Sequence, residues 1–276
     1  MYIFVIPTYN RSSKLDQLIE CIRNSELSQS INVVILDSSD SKKDIHKNLE
    51  LANRLSNIDL IKLPSNLLWT GQVHFFLKNI FPKIDPSKII GLLNDDVILD
   101  DKFFTYLKSH TKIFESKIVS CYCQITSDKS TIEIRSQVVQ IMPRKLDVQI
   151  YKSCLNNLRH DKKIILSATG RGIFFPASLN AKAGFRYLTF IPHYLGDLIF
   201  VLILIRRGLQ LHNDLEFYVT TDNSFGNTEY APFSLKSLFT RKSPRYLVSQ
   251  IFFWIFIFEH KLRLTLPVQS VSKKFK

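Results

Sequence analysis

Three short polar segments stand out because each follows an apolar run long enough for one buried strand. Pro7-Thr8-Tyr9-Asn10-Arg11 follows Tyr2 to Ile6, Asp37-Ser38-Ser39-Asp40 follows Ile31 to Leu36, and Asn94-Asp95-Asp96 follows Lys88 to Leu93. In an open α/β sheet, ligands sit beyond the carboxyl ends of the strands, so these are positions where polar side chains do chemistry. Adjacent carboxylates at a strand end suit a divalent cation that takes one or two oxygens from the protein and the rest from substrate phosphates. Neither GxxxxGKS/T nor GxGxxG occurs, which excludes the two common glycine-rich phosphate cradles. Asn and Asp also favour ordinary turns; their recurrence after successive strands is what argues for a site.

The elements that must position these loops follow from hydrophobic periodicity. Leu15, Leu18, Ile19 and Ile22 share one face of a helix over Lys14 to Ile22, and a charged helix runs from Lys42 to about Leu55. Ile58 to Leu63 is a third strand, and a helix follows from Gly71 to Ile80. Asp100 and Asp101 cap a helix predicted over Lys102 to Phe114, where a short carboxylate satisfies orphan N–H groups. Strand-like runs at Ile118 to Cys123, Thr131 to Ile134 and Gln137 to Met142 indicate added antiparallel structure, and a basic, loop-like stretch continues to Lys163. Gly170-Arg171-Gly172 introduces a strand over Ile173 to Phe175, and a short helix over Ala177 to Ala183 ends at Gly184. Leu198 to Ile205 is apolar on all sides, as a buried helix is, and Ser243 with Pro244 starts a last helix to about His260. This is an α/β chain with a mostly parallel sheet flanked by helices, a small antiparallel addition and a C-terminal helical segment.

With 45% hydrophobic residues, including 21 Phe and 10 Tyr, the chain has the apolar supply for a packed core, which excludes disorder as its main state. Its 37 Lys and Arg against 24 Asp and Glu favour anionic partners. No aromatic-basic motif of the known nucleic-acid modules accompanies that charge, so nucleic-acid binding is not expected. Met1 to Ile6 lacks a basic n-region, and a cytoplasmic location is expected. Cys21, Cys121, Cys123 and Cys154 include no CxxC pair and read as buried free thiols. The apolar runs Leu198 to Ile205 and Ile251 to Phe258 fall short of the ~20 residues of a spanning helix. The second lies between Arg241, Lys242, Arg245 and Lys261, Arg263. It suits an interfacial helix on the inner, anionic face of a membrane, a helix packed on the domain, or a contact with another copy in a homo-oligomer.

Val5-Ile6-Pro7-Thr8-Tyr9-Asn10-Arg11, the Asp37 turn, Leu92-Leu93-Asn94-Asp95-Asp96 and Leu195-Gly196-Asp197 have the order and spacing of a known family. So do Gly170 to Pro176, Gly184-Phe185, Pro192 to Asp197, Arg206-Arg207-Gly208, and Asn66 with Trp69-Thr70-Gly71. Over about residues 1 to 215 the chain resembles the family 2 glycosyltransferases of the GT-A fold, in the bacterial branch that adds sugars to surface polysaccharides. The resemblance implies a GT-A-like catalytic domain over 1–235, followed by a basic, aromatic-rich helical segment over 236–276.

It also implies inverting, hexosyl-type transfer from a nucleotide-diphosphate sugar of uridine or thymidine type to a glycan or lipid-linked glycan precursor, with Mg²⁺ or Mn²⁺ as cofactor. By that likeness Asp37 hydrogen-bonds the nucleobase, and Pro7, Thr8, Tyr9 and Arg11 line the nucleotide pocket. Asn66, Trp69, Gly71 and Asn94 help build the donor site. Asp96 binds the metal, and Asp95 lies nearer the ribose or donor sugar. Asp197 takes the acceptor's proton, with Arg171, Gly172 and His193 in contact with acceptor or donor sugar. Taken alone, these residues have plainer readings: Asp197 as a helix cap, Arg171 as half of a surface ion pair, Trp69 as core, and His193 and His212 as satisfied structural histidines. Gly196 stands where many members carry an acid, and Gln72-Val73-His74 is bulkier than usual. Both features favour the competing reading of a catalytically silent scaffold that binds nucleotide sugar.

Overall fold

All seven residues of the first strand are buried, which a strand achieves only when both faces of its sheet are covered. The computed structural model describes residues 1–54, 56–127, 131–136, 138–142, 147–150, 165–179, 191, 195–222, 239 and 247–265. In chain order its strands are β1 (Tyr2–Thr8), β2 (Ile31–Asp37), β3 (Ile58–Lys62), β4 (Ile89–Leu92), β5 (Val97–Ile98), β6 (Lys117–Ser127), β7 (Thr131–Ser136), β8 (Val138–Met142), β9 (Asp147–Ile150), β10 (Ile165–Ala168), β11 (Ile173–Pro176) and β12 (Gln210–Asp222). The helices are α1 (Ser12–Arg23), α2 (Lys42–Asn53), α3 (Trp69–Asn79), α4 (Asp101–Ser109), α5 (Thr111–Phe114), α6 (Gly196–Arg206) and α7 (Leu247–Thr265).

The main sheet runs β3-β2-β1-β4-β11-β6-β12-β5, with β7 added to β6, and β10-β8-β9 form a small antiparallel sheet. β3, β2, β1 and β4 are parallel, so their carboxyl ends lie along one edge. The register sets Thr8 beside Asp37 and Asp37 beside Lys62. This is the mixed α/β architecture expected from periodicity: a large, mostly parallel sheet, a small antiparallel one and a C-terminal helix.

Period-2 alternation divides the core between the two faces of the sheet. Tyr2, Phe4 and Ile6 pack with α1 and α4 on one side, while Ile3 and Val5 pack with α3, α6 and α7 on the other. The first face is dominated by aromatics around Phe174, whose ring centroid lies 5.4 to 5.9 Å from those of Phe4, Phe103, Phe114 and Phe217. Phe174 pairs across strands with Gly91, where an added Cβ would fall 2.4 Å from the ring.

Several sequence expectations need correction. The helix over Lys102 to Phe114 is two helices that break at His110, where Ser109 Oγ donates to Thr105 O and Thr111 Oγ1 to Lys108 O. Such local side-chain bonds compete with helical ones. Asp100 does cap the first of them, accepting from Phe103 N at 2.9 Å. Ala177 to Leu179 is a turn, and a strand, β9, lies within the stretch read as loop-like. β10 and the long β12 were not expected. β12 reads as polar through His212, Asn213, Asp214 and Glu216, and its pairing with β6 shifts register between Asn213 and Tyr218. Cys121 and Cys123 are buried free thiols, whereas Cys21 is free but half-buried. Cys154, residues 180–183 of the predicted short helix, Gly184, Phe185, Pro192, His193, Tyr194, Ser243 and Pro244 lie outside the described residues.

Gly91→Ala is expected to lower stability by about 1–3 kcal/mol, the usual cost of overpacking, because Phe174 is held by rings on several sides. Urea unfolding would read this as a lower midpoint at unchanged slope, and an unchanged midpoint would show that the ring has room to move.

Candidate active site

β4 ends at Leu92, and Leu93 N still bonds to Val5 O, so the following Asn94-Asp95-Asp96 leaves the sheet directly beside the end of β1. Thr8, the last residue of β1, donates from Oγ1 to Asp95 Oδ2 at 2.8 Å. Arg11, just before α1, reaches Asp95 Oδ1 at 3.1 Å and Asp96 Oδ2 at 3.6 Å. The Asp95 carboxyl is raised to about 6: burial is the largest cause, Arg11 and Thr8 oppose it, and neighbouring Asp96 adds to it. Asp96 is also buried, and its Oδ1 has no hydrogen-bond partner. Its backbone carbonyl accepts from Thr221 Oγ1 at 3.2 Å, which brings β12 to the site.

The first two loops are laced together. Asn10 adopts a left-handed backbone at φ 53°, and its side-chain oxygen accepts from Asp40 N and Ser41 N, both at 3.1 Å. Tyr9 donates to Asp40 Oδ2 at 2.9 Å. Asp37 is fully buried, accepts from Ser39 N at 2.8 Å, and faces Lys62 Nζ at 3.4 Å. Gln72, buried on α3, donates to Ser38 Oγ at 2.8 Å, while its Oε1 has no partner. Gln72-Val73-His74 is therefore helical, with Gln72 supporting the loop after β2.

The far wall is built by α3 and α6. Trp69 Nε1 donates to Asn94 Oδ1 at 3.0 Å, which ties the start of α3 to the acidic loop. A Cβ on Gly170 would lie 3.0 Å from the Trp69 ring and 3.4 Å from Asp197 Cβ, so the glycine packs tightly between the two. Asp197 lies in the first turn of α6, accepting from Gly170 N and Leu198 N, both at 2.9 Å. Burial raises its pKa above the ordinary carboxylate range, against the opposing pull of those N–H groups and of Arg171. A Cβ on Gly196 would fall 2.1 Å from Thr70 Oγ1; that contact gives a steric reason for glycine at this position.

The structure thus gathers Thr8, Arg11, Asp95 and Asp96 into one cluster and links it through Asn94 and Trp69 to Asp197. Tyr9 and Asp37 lie in the adjoining loops, and Pro7 is buried within β1. Asn66 is exposed in a turn closed by Leu67 N to Pro64 O at 3.0 Å, and Gly71 packs on the Leu67 side chain. Arg171 is half-buried, with a guanidinium nitrogen 3.8 Å from Cys123 Sγ. Gly172, at φ +113°, packs against Cys121. His193 lies outside the described residues, and His212 is half-buried on β12 opposite Val119. Ser38, Gln72 and Thr221 were not singled out as site residues. Only the polarity of Ser38 and Thr221 beside apolar strand positions hints at them.

No group of three or more His, Cys, Asp or Glu able to hold a metal occurs among the described residues. The unpartnered Asp96 oxygen beside a second carboxylate nevertheless fits a cation that draws most of its ligands from phosphate and water.

The sequence profile of glycosyl transferase family 2 matches residues 3–175. The chain belongs to that family. No curated protein sequence matches it. Among solved structures, S. aureus TarS 1-349 in complex with UDP-GlcNAc aligns with a TM-score of 0.57 at 12% identity, over 97% of this chain and 76% of that one. The UDP complex of TarS 1-349 aligns with a TM-score of 0.55 at 12% identity, over 81% and 60%. S. aureus TarS, a longer chain, gives 0.52 at 13%, over 81% and only 37%. At these identities the likeness establishes the GT-A fold of this family 2 member.

Gly196→Ala is expected to destabilise the protein by about 1–3 kcal/mol by forcing α6 away from α3. Thr70→Gly introduced alongside it should recover part of the loss. A double-mutant cycle by chemical denaturation measures this coupling, and strictly additive effects would contradict it.

Proposed function

We propose that this family 2 member is an inverting, hexosyl-type glycosyltransferase. In this reading it moves a sugar from a nucleotide-diphosphate donor to a hydroxyl of a bacterial surface polysaccharide or its lipid-linked precursor. The observation that carries the proposal is the contact path from the acidic loop through Asn94 and Trp69 to Gly170 and Asp197, which sets a paired-acid site beside a lone, partly buried carboxylate. The TarS complexes with UDP and UDP-GlcNAc favour a donor of uridine or thymidine type.

In this reading the laced loops after β1 and β2 hold the nucleotide, with Asp37 and Lys62 at the base end and Tyr9 at the rim. Asp96 holds Mg²⁺ or Mn²⁺, with Asp95 beside it toward the ribose or donor sugar. When bound, that cation offsets charge on the departing diphosphate. Arg11 keeps the two carboxylates tolerable as neighbours before the cation arrives and is positioned to turn to a donor phosphate. Asp197 accepts the proton of the attacking hydroxyl at Oδ1 or Oδ2. Its two backbone N–H donors fix the carboxylate while leaving each oxygen a further lone pair. Direct displacement inverts the anomeric centre with this single base and no covalent intermediate.

Asp96→Ala is expected to abolish metal-dependent binding of nucleotide diphosphates, read by titration calorimetry with and without Mn²⁺. Unchanged affinity and metal response would refute the assignment. Asp197→Asn retains the N–H contact of one oxygen but loses the base. Donor binding should persist while transfer falls by about 10²-fold or more. A base acts when deprotonated, so wild-type transfer should decline as pH falls through the raised pKa of Asp197, and the variant should lack that limb. Near-normal transfer by Asp197→Asn would rule out the base role.

A further inference from the structure

α7 has two apolar faces, and among the described residues one of them packs into the core. Ser249, Phe253, Phe256 and Ile257 are buried, and the last three join the core beneath α6. Arg206 of α6 clamps the helix: its guanidinium lies 3.9 Å over the Phe256 ring, donates to Phe256 O at 3.0 Å, and approaches Glu259 at 3.6 Å. The opposite face carries Leu247, Val248, Ile251, Ile255 and Phe258, each 38 to 52% exposed. Spacings of three and four residues put these side chains in one stripe, unlike the scattered single apolar residues of an ordinary surface. Trp254 and Phe252 flank the stripe, half-buried.

The charge of the sequence that contains this helix identifies its occupant. Residues 236–276 contain nine Lys or Arg and a single acid, Glu259, which Arg206 already engages. A second copy meeting the same face would bring two such cationic segments together, whereas an anionic bilayer neutralises them while accepting the apolar stripe. No helix among the described residues is long and apolar enough to cross a membrane, so α7 lies along a surface.

We propose that the exposed face of α7 docks the protein on an anionic lipid surface, with Leu247, Ile251, Ile255 and Phe258 entering the headgroup region and the flanking cations meeting lipid phosphates. Because α7 is held to the core, docking fixes the orientation of the whole catalytic domain. The inference stands on α7 alone and does not require the transfer reaction.

The test is flotation of the full chain with vesicles of phosphatidylcholine, pure or containing about one-third phosphatidylglycerol. The protein is expected to float with the anionic vesicles only, and to be released at about 0.5 M salt, where charge attraction is screened. Ile251→Ser with Ile255→Ser should reduce flotation by about tenfold or more while leaving the urea midpoint and donor binding unchanged. If the double variant does not fold, Ile255→Ser alone, at the most exposed of these positions, should show a smaller loss. Failure of the unmodified protein to float with anionic vesicles overturns the proposal. So does equal flotation of a folded variant, which would mean binding by charge alone. A lipid-free dimer that these substitutions convert to monomer also overturns it, and assigns the face to a second copy.

Discussion

Asp95 and Asp96 are buried as neighbours at the end of a strand, and a buried charge is tolerated only when something nearby compensates it. Much of the architecture around the cleft follows from that need. Thr8 and Arg11 supply the compensation for Asp95, which fixes where β1 stops and where α1 begins. The chain between them must turn within two residues, and Asn10 does so in a left-handed conformation stabilised by its bonds to the loop after β2. One electrostatic requirement therefore couples the ends of three parallel strands. Asp96 Oδ1 is left buried without a hydrogen-bond partner.

The opposite wall obeys a steric constraint. α3 and α6 meet at their amino ends so closely that Gly196 has no room for a side chain against Thr70, and Gly170 slips between Trp69 and Asp197. Ser167 Oγ adds a bond to Leu198 O at 2.7 Å, anchoring α6 to the small antiparallel sheet. Gly196 thus carries a packing role.

α6 also links the site to α7. Asp197 lies in its first turn, and Arg206 in its last turn holds α7. Between these ends α6 is apolar on every side, buried by the sheet on one side and by α7 on another. α7 is in this way joined to the sheet through its packing with α6.

The sequence by itself determined the alternating strands and helices of the first hundred residues, the acidic strand-end loop, the Asp100 cap and the buried character of α6. Each is written in neighbouring residues through period 2, period 3.6 or cap chemistry, as with Leu15, Leu18 and Ile19 on α1 or Asp100 before α4. Tertiary structure decided the rest. β12 is a strand because β6 pairs with it across a register shift, although its own residues read as polar. The helix break at His110 came from side-chain bonds that competed with a good helical pattern. Trp69 met Asn94, Gln72 met Ser38 and Gly196 met Thr70 across long sequence separations, so no local pattern encoded them. The residue types that carry chemistry are legible one by one. Whether they stand together depends on close approaches between distant segments, and those are set only when the sheet, α3 and α6 pack.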